Sequence, residues 1–188
     1  MWAGLFHILI PQKLVKLKYK FKGIMANEYV SEAIVLEKEP QGELDERVAV
    51  FTRNLGKFSA KVKSSRKITS KLSPHLEPGN FIRVRMIEKG SLQVVDALKR
   101  GKLSGSPDFF YLLGRVLAEG EPDELLWATL LAGEKDWRKI LAILGWDPEH
   151  ASCEHCGRGE VFAFHIGSQN FFCGPCSVRS RGEKIELA

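Results

Sequence analysis

All four cysteines of the chain fall in two C-x-x-C turns, Cys153-Glu-His-Cys156 and Cys173-Gly-Pro-Cys176, with sixteen residues between them. Two such turns can place four thiolates tetrahedrally around one zinc ion, each turn clasping it from one side. Disulfides or free thiols are the rival reading, but in a reducing compartment paired C-x-x-C turns are more often a metal site. Four sulfur ligands close the coordination sphere and leave no position for an activated water, so the expected Zn2+ is structural. His155 and His165 are candidate substitute ligands; with four cysteines at hand, both are expected at the surface or beside the ligands.

The second chemistry is electrostatic. Residues 47–76 hold eight Lys or Arg and no Asp or Glu. A face that only keeps a protein soluble mixes both signs, whereas a single-sign face attracts a polyanion. In the run 57–63, Lys57, Ser59, Lys61 and Lys63 fall on one side of a strand and Phe58, Ala60 and Val62 on the other. The polar loop that follows adds Arg66, Lys67 and Lys71, and a later run alternates Ile82, Val84 and Met86 with Arg83 and Arg85. With Arg53, these cations are the candidate nucleic-acid contacts, Arg83 and Arg85 extending the same surface. Phe51 could stack on a base if it faces outward, although a Val-Ala-Val-Phe run favours the core.

The elements that must hold these side chains are short. Five strands are expected at about 29–37, 46–53, 57–63, 80–88 and 91–98, separated by turn signals such as Asn54-Leu-Gly56 and Lys89-Gly90-Ser91. That spacing, with one longer connection between the third and fourth, suits a five-stranded barrel of the OB type, an SH3-like barrel fitting nearly as well. The strand pattern stops in the Gly- and Ser-containing stretch 98–107, which marks a domain boundary. Helices follow at 108–119, 122–132 and 136–144, Pro122 opening the second. The fold class is therefore α+β. Residues 25–105 form the barrel domain and 106–188 a short helical domain with the zinc module at 151–178. Residues 1–24 are expected to be a disordered or non-native extension, with Met25 opening the domain; a basic arm for phosphates or anionic lipid is the other reading.

At 188 residues and net charge +5 the composition is that of an ordinary globular chain. The charge divides unevenly, +5 over 1–24, +5 over 25–105, −5 over 106–150 and 0 thereafter. No run approaches the roughly 18 apolar residues of a membrane span, and the lysines follow the apolar run 5–10 instead of preceding it, unlike a secretory signal. A cytoplasmic protein is expected. There is no G-x-x-x-x-G-K-[ST] loop, G-x-S-x-G elbow or H-E-x-x-H helix. The chain is accordingly expected to be a binding protein and not an enzyme. Rivals are an RNA- or ribosome-associated OB-fold and zinc protein, a zinc-dependent nuclease or hydrolase, and a scaffold for an acidic protein.

The order of parts resembles the bacterial RecO family of DNA repair and recombination mediators. The resemblance runs from Met25 to the C-terminus and rests on Val35-Leu-Glu-Lys, Phe51-Thr-Arg-Asn-Leu-Gly-Lys57, Leu144-Gly-Trp-Asp-Pro148 and Cys153-Glu-His-Cys-Gly157. It implies an OB barrel that binds single- and double-stranded DNA, anneals complementary strands and, with RecR, helps load RecA. Arg53 and Lys57 match the family's hairpin, Lys61, Lys63, Arg66 and Lys67 fall in the corresponding strand and loop, and the four cysteines match its zinc-binding members. A nucleoid-associated, cytoplasmic location goes with that role. The helical segment, about 40 residues within 106–150, is shorter than the family's usual one, which helps form the surface for single-strand-binding protein.

Overall fold

The computed structural model describes residues 15–21 and 24–187. Its first strand, β1 (Val15–Phe21), is followed by the 18-residue β2 (Ile24–Gln41), then β3 (Asp45–Thr52), β4 (Gly56–Val62), β5 (Asn80–Lys89) and β6 (Ser91–Lys102). Strands β2 to β6 close on themselves in the order β2-β3-β4-β6-β5-β2, with β4 and β6 parallel and the other pairs antiparallel. This is the five-stranded barrel of the OB type expected from the turn spacing. Closure depends on β2, which is long enough to pair with β5 over 27–34 and with β3 over 33–41. A register shift between Val35 and Glu37 bends it where it passes from one partner to the other.

Of the segment 1–24, expected to be disordered or foreign to the domain, residues 1–14 and 22–23 lie outside the described residues. Val15–Phe21 is instead a strand, paired antiparallel with 24–30 of β2. The strict alternation of this run suits a pleated strand, and the N-terminal half of β2 offers it a ladder edge on the side not taken by β5.

Alternation along the strands sorts two cores. Ala33, Val35, Val48, Val50, Ala60, Val62, Ile82, Val84, Met86, Val94 and Ala97 fill the barrel, closed at one end by Leu76. Ile34, Leu36 and Phe51 point the other way and are also fully buried, because a helical layer covers that part of the outer face. The layer is α1 (Pro107–Val116), α2 (Glu124–Leu131) and α3 (Trp137–Ile143). Ser106, Asp123 and Asp136 cap them, each side-chain oxygen accepting a backbone N–H of the first turn. Pro122 thus lies one residue before the cap of α2 and not at its first position, since Asp123 supplies the capping oxygen. Gly56, at φ +70°, lets the β3–β4 turn meet the α1–α2 linker: a Cβ there would stand 2.4 Å from the backbone of Glu121.

Trp127 of α2 joins barrel and helices. Its ring lies 5.8 Å from that of Phe51 and 6.1 Å from that of Phe81. Trp137 packs on Phe109 at 5.1 Å and Trp146 on Phe164 at 5.1 Å, so the tryptophans among the described residues are packing residues. Replacing Trp127 with Ala should lower the unfolding free energy by about 3–5 kcal/mol, read as the shift of the urea midpoint at unchanged m-value.

Candidate nucleic-acid interface and metal centre

The nine cations singled out by sequence divide into groups. Arg53 and Lys57 are held by the helical layer. Arg53 donates through Nε to Glu124 at 3.0 Å and forms a second, charge-paired contact to the same carboxylate. That hydrogen bond raises the guanidinium pKa and holds Glu124 below the usual carboxylate range. Lys57 donates from Nζ to the carbonyl of Gly114 at 2.9 Å, near the C-terminal end of α1 where the helix dipole favours a cation. Partial burial pushes its pKa down. Its backbone carbonyl also accepts the Gly120 N–H, at 2.8 Å, binding β4 to the linker after α1.

The far end of β4 is different. Lys61 lies opposite Arg47 of β3 and pairs with Asp45 at 2.7 Å, and that hydrogen bond lowers the Asp45 pKa. Beyond it the connection 63–79 leaves the barrel. Arg66 donates to the carbonyls of Gly42 at 3.2 Å and Glu43 at 3.1 Å, tying the connection to the β2–β3 turn. Ser64 N–H reinforces the tie through Asp45 Oδ1 at 2.8 Å. Lys63, Lys67 and Lys71 are exposed, and among the described residues their ammonium groups have no hydrogen-bond partner. Gln93 of β6 pairs beside Lys61, which brings the β5–β6 turn with Lys89 to the same end of the barrel. One barrel end therefore gathers Arg47, Lys61, Lys63, Arg66, Lys67 and Lys89 between the β2–β3 and β5–β6 turns.

Arg83 and Arg85 do not extend that surface. They stand on β5, and β6 lies between β5 and β4 in the closed sheet. Arg85 is paired with the mostly buried carboxylate of Glu28, and Arg83 sits opposite Glu32 of β2. Alternation gives a residue's face but not its neighbouring strand, so sequence alone merged two separate patches. Phe51 does face outward from the barrel, yet Trp127 covers it and no base can reach it.

The cysteine site is built on a three-stranded sheet ordered β8-β7-β9, comprising β7 (Ala163–His165), β8 (Asn170–Phe172) and β9 (Lys184–Glu186), with α4 (Gly174–Arg179) starting inside the second turn and carrying Cys176. In the first turn Gly157 N–H returns to the Cys153 carbonyl at 2.8 Å, and Glu154 N–H reaches the Phe171 carbonyl at 2.9 Å. In the second, Cys173 precedes α4 and its carbonyl accepts the Ser177 N–H at 2.8 Å. All four Sγ atoms lie within 4.8 Å of one another, and those of Cys156 and Cys173 are 3.6 Å apart. Sulfurs bonded at 2.3 Å around a tetrahedral ion would be about 3.8 Å apart, so the four fit a metal ion and are too far apart for disulfides. Burial opposes ionisation of Cys153, but backbone N–H groups of Cys173, Cys156 and His155 outweigh it and bring the thiol to about 6. His165 is engaged elsewhere, with Nδ1 at 2.8 Å from Ser168 Oγ and Nε2 at 2.7 Å from the Arg181 carbonyl.

With this geometry in hand, the chain can be compared with known proteins. The family model for the N-terminal part of recombination protein O matches residues 25–102, which is the barrel. A DNA repair protein RecO from Thermobifida fusca is 31% identical, over 79% of this chain and 73% of its own length. The chain belongs to the RecO family. Other RecO relatives include those of Myxococcus xanthus, 29% identical over 81% of this chain and 74% of theirs, and Thermodesulfovibrio yellowstonii, 28% identical over 79% and 70%. Both alignments cover more of the chain than the barrel holds, so the RecO likeness reaches beyond the barrel into the helices. Among the described residues no helix is long and apolar enough to cross a membrane.

Two outcomes follow for the site. Lys57→Met should leave nucleic-acid affinity within about twofold while costing roughly 1 kcal/mol of stability, measured by fluorescence anisotropy and chemical denaturation on one preparation. Purified protein should carry a single tightly bound ion per chain, and chelation should accelerate amide exchange in 151–187 well before it does so in β2–β6, as followed by mass spectrometry.

Proposed function

We propose that this RecO-family chain is a DNA-binding recombination mediator that holds single and double strands through their phosphates, anneals complementary strands, and acts with RecR to assist RecA loading in DNA repair. The observation that carries this reading is the group of cations at one end of the barrel, flanked by the two turns that OB folds use to embrace oligonucleotides. Lys63, Lys67 and Lys71 are uncommitted to the fold, while Lys61 and Arg66 are positioned by it. A flexible cation adapts to a phosphate and a fixed one sets the register of the strand. Neutralising the phosphates of two strands lowers the repulsion that keeps complementary bases apart.

The chain acts in this reading by binding and not by catalysis, in the cytoplasm and in association with the nucleoid. Zn2+ is the ion of the four-cysteine site: the ligand set is all thiolate and fills four positions, so the metal orders the module and offers no open position to a substrate. RecR, RecA and single-strand-binding protein are the protein partners. RNA presents the same phosphates, so an RNA- or ribosome-associated role is separated by competition with RNA of matched sequence.

If the six cations gathered at that barrel end each neutralise one phosphate, the logarithm of the association constant should fall against log salt with a slope of about −4 on single strands. Titrations of labelled oligonucleotide at several salt concentrations measure it, and a slope near zero would sink the reading. Changing Lys63, Lys67 and Lys71 to Glu should weaken binding by at least about tenfold without moving the thermal midpoint.

A further inference from the structure

From Asp96 to Asp108 the chain has no acidic residue between the two ends, but it has Lys99, Arg100 and Lys102. This is the same single-sign character that marks 47–76, on a different strand. All three side chains are exposed at the C-terminal end of β6. The β5–β6 ladder explains why consecutive cations come to stand together. Ile82 pairs with Lys99 and Phe81 with Gly101, which leaves Arg100 as the unpaired residue of a bulge. A bulge breaks the in–out alternation and re-aims the side chain it carries.

The opposite edge of β6 strengthens the point. β4 pairs with β6 only at Gln93 and Val94, so from Val95 onward that edge has no strand beside it among the described residues. The connection 63–79 crosses there, and His75 Nδ1 accepts the Lys99 N–H at 3.3 Å. Of the acids nearest in sequence, Asp96 lies before the bulge, opposite Arg85, and Asp108 stands in the first turn of α1; Glu77, in the connection that crosses there, is paired with Lys38. Arg100 stands seven positions beyond Gln93, which lies beside Lys61, a distance of about 20 Å along a strand.

We propose that Lys99, Arg100 and Lys102 form a second phosphate-binding surface, at the other end of β6 from the first, that holds a second nucleic-acid strand. The inference rests on the nucleic-acid function proposed above and adds to it a place for the second strand. Two surfaces about 20 Å apart keep two strands on one barrel without forcing their phosphates into the same groove. A protein with the first surface alone binds a strand but does not itself bring another to it.

The test uses the full chain with Lys99, Arg100 and Lys102 changed to Glu, a parallel variant with the same three changed to Gln, and the Lys63/Lys67/Lys71→Glu variant as reference. Binding of a short oligo(dT) is read by anisotropy, annealing of two labelled complementary oligonucleotides by energy transfer, and folding by thermal unfolding. The β6 variants should bind oligo(dT) within about twofold of the parent yet anneal at least about tenfold more slowly, the Glu form more affected than the Gln form. Annealing at the parental rate by a folded β6 variant overturns the second surface while leaving the first intact. Loss of oligo(dT) binding in the folded β6 variants also overturns it, because the two clusters would then be one continuous site. Parental binding and annealing by the Lys63/Lys67/Lys71→Glu variant would instead overturn the function on which the inference rests.

Discussion

Ile34 is paired with Phe51 of β3 on one side and Phe81 of β5 on the other, and the indole of Trp127 lies within 5.8 and 6.1 Å of the two phenyl rings. The rest of the molecule is arranged around this contact. Only a strand long enough to pair on both sides can bring Phe51 and Phe81 next to one residue, and that pairing is also what closes the barrel. Closure leaves an interior that is filled by small and branched side chains. Phe51 and Phe81 face outward from that interior, where they need a cover. The helical layer is that cover, and its position fixes which part of the outer face is left for a ligand.

The cations respond to the same constraint. Arg53 and Lys57 bracket the covered region, and their charge goes into Glu124 and the Gly114 carbonyl. These are contacts between layers, and a cation so engaged has less to offer a phosphate. At the opposite end of β4, among the described residues, the polar contacts go to the β2–β3 turn and not to a helix. The ion pair of Lys61 and the carbonyl bonds of Arg66 there hold the connection 63–79 against the β2–β3 turn, and Lys63 and Lys67 are left projecting into solvent. The division between structural and available cations thus follows from where the tryptophan sits.

Much of this was legible in the sequence. The five barrel strands, their turns, the three helices and the four clustered cysteines stand where spacing and turn chemistry indicated, with element ends that differ by a few residues. What alternation could not supply was the identity of the neighbour on each face. Phe51 read as either core or stacking platform; it is outward-facing and buried at once, a combination that requires knowledge of the layer above it. Arg83 and Arg85 read as a continuation of the lysine row because both rows alternate, yet β6 separates them, since order in a closed sheet is not order in sequence. Arg47, Lys99, Arg100 and Lys102 were overlooked for the opposite reason. Arg47 was counted as charge without being given a face, and the other three follow one another without alternation, so that only the bulge at Arg100 reveals them as a group.

The cysteine module shares this architecture and does not stand beside it. Its strands have three residues each, too few to hold a sheet unaided. Phe164, Phe171, Ile185 and Leu187 belong to the same buried cluster as Leu141, Leu126 and Trp127. Arg138 of α3 donates to the carbonyls of Val161 and Leu187, both at 3.3 Å, and Arg115 of α1 pairs with Glu183 at 3.2 Å. A metal ion that orders the two cysteine turns therefore also fixes one side of the core that carries Trp127. The barrel interior contributes no residue to that core. The packing that starts at the cysteine module thus runs through the helices to Phe51, close to Arg53 and Lys57, and leaves out the barrel interior behind the strands that carry Lys61 and Lys63.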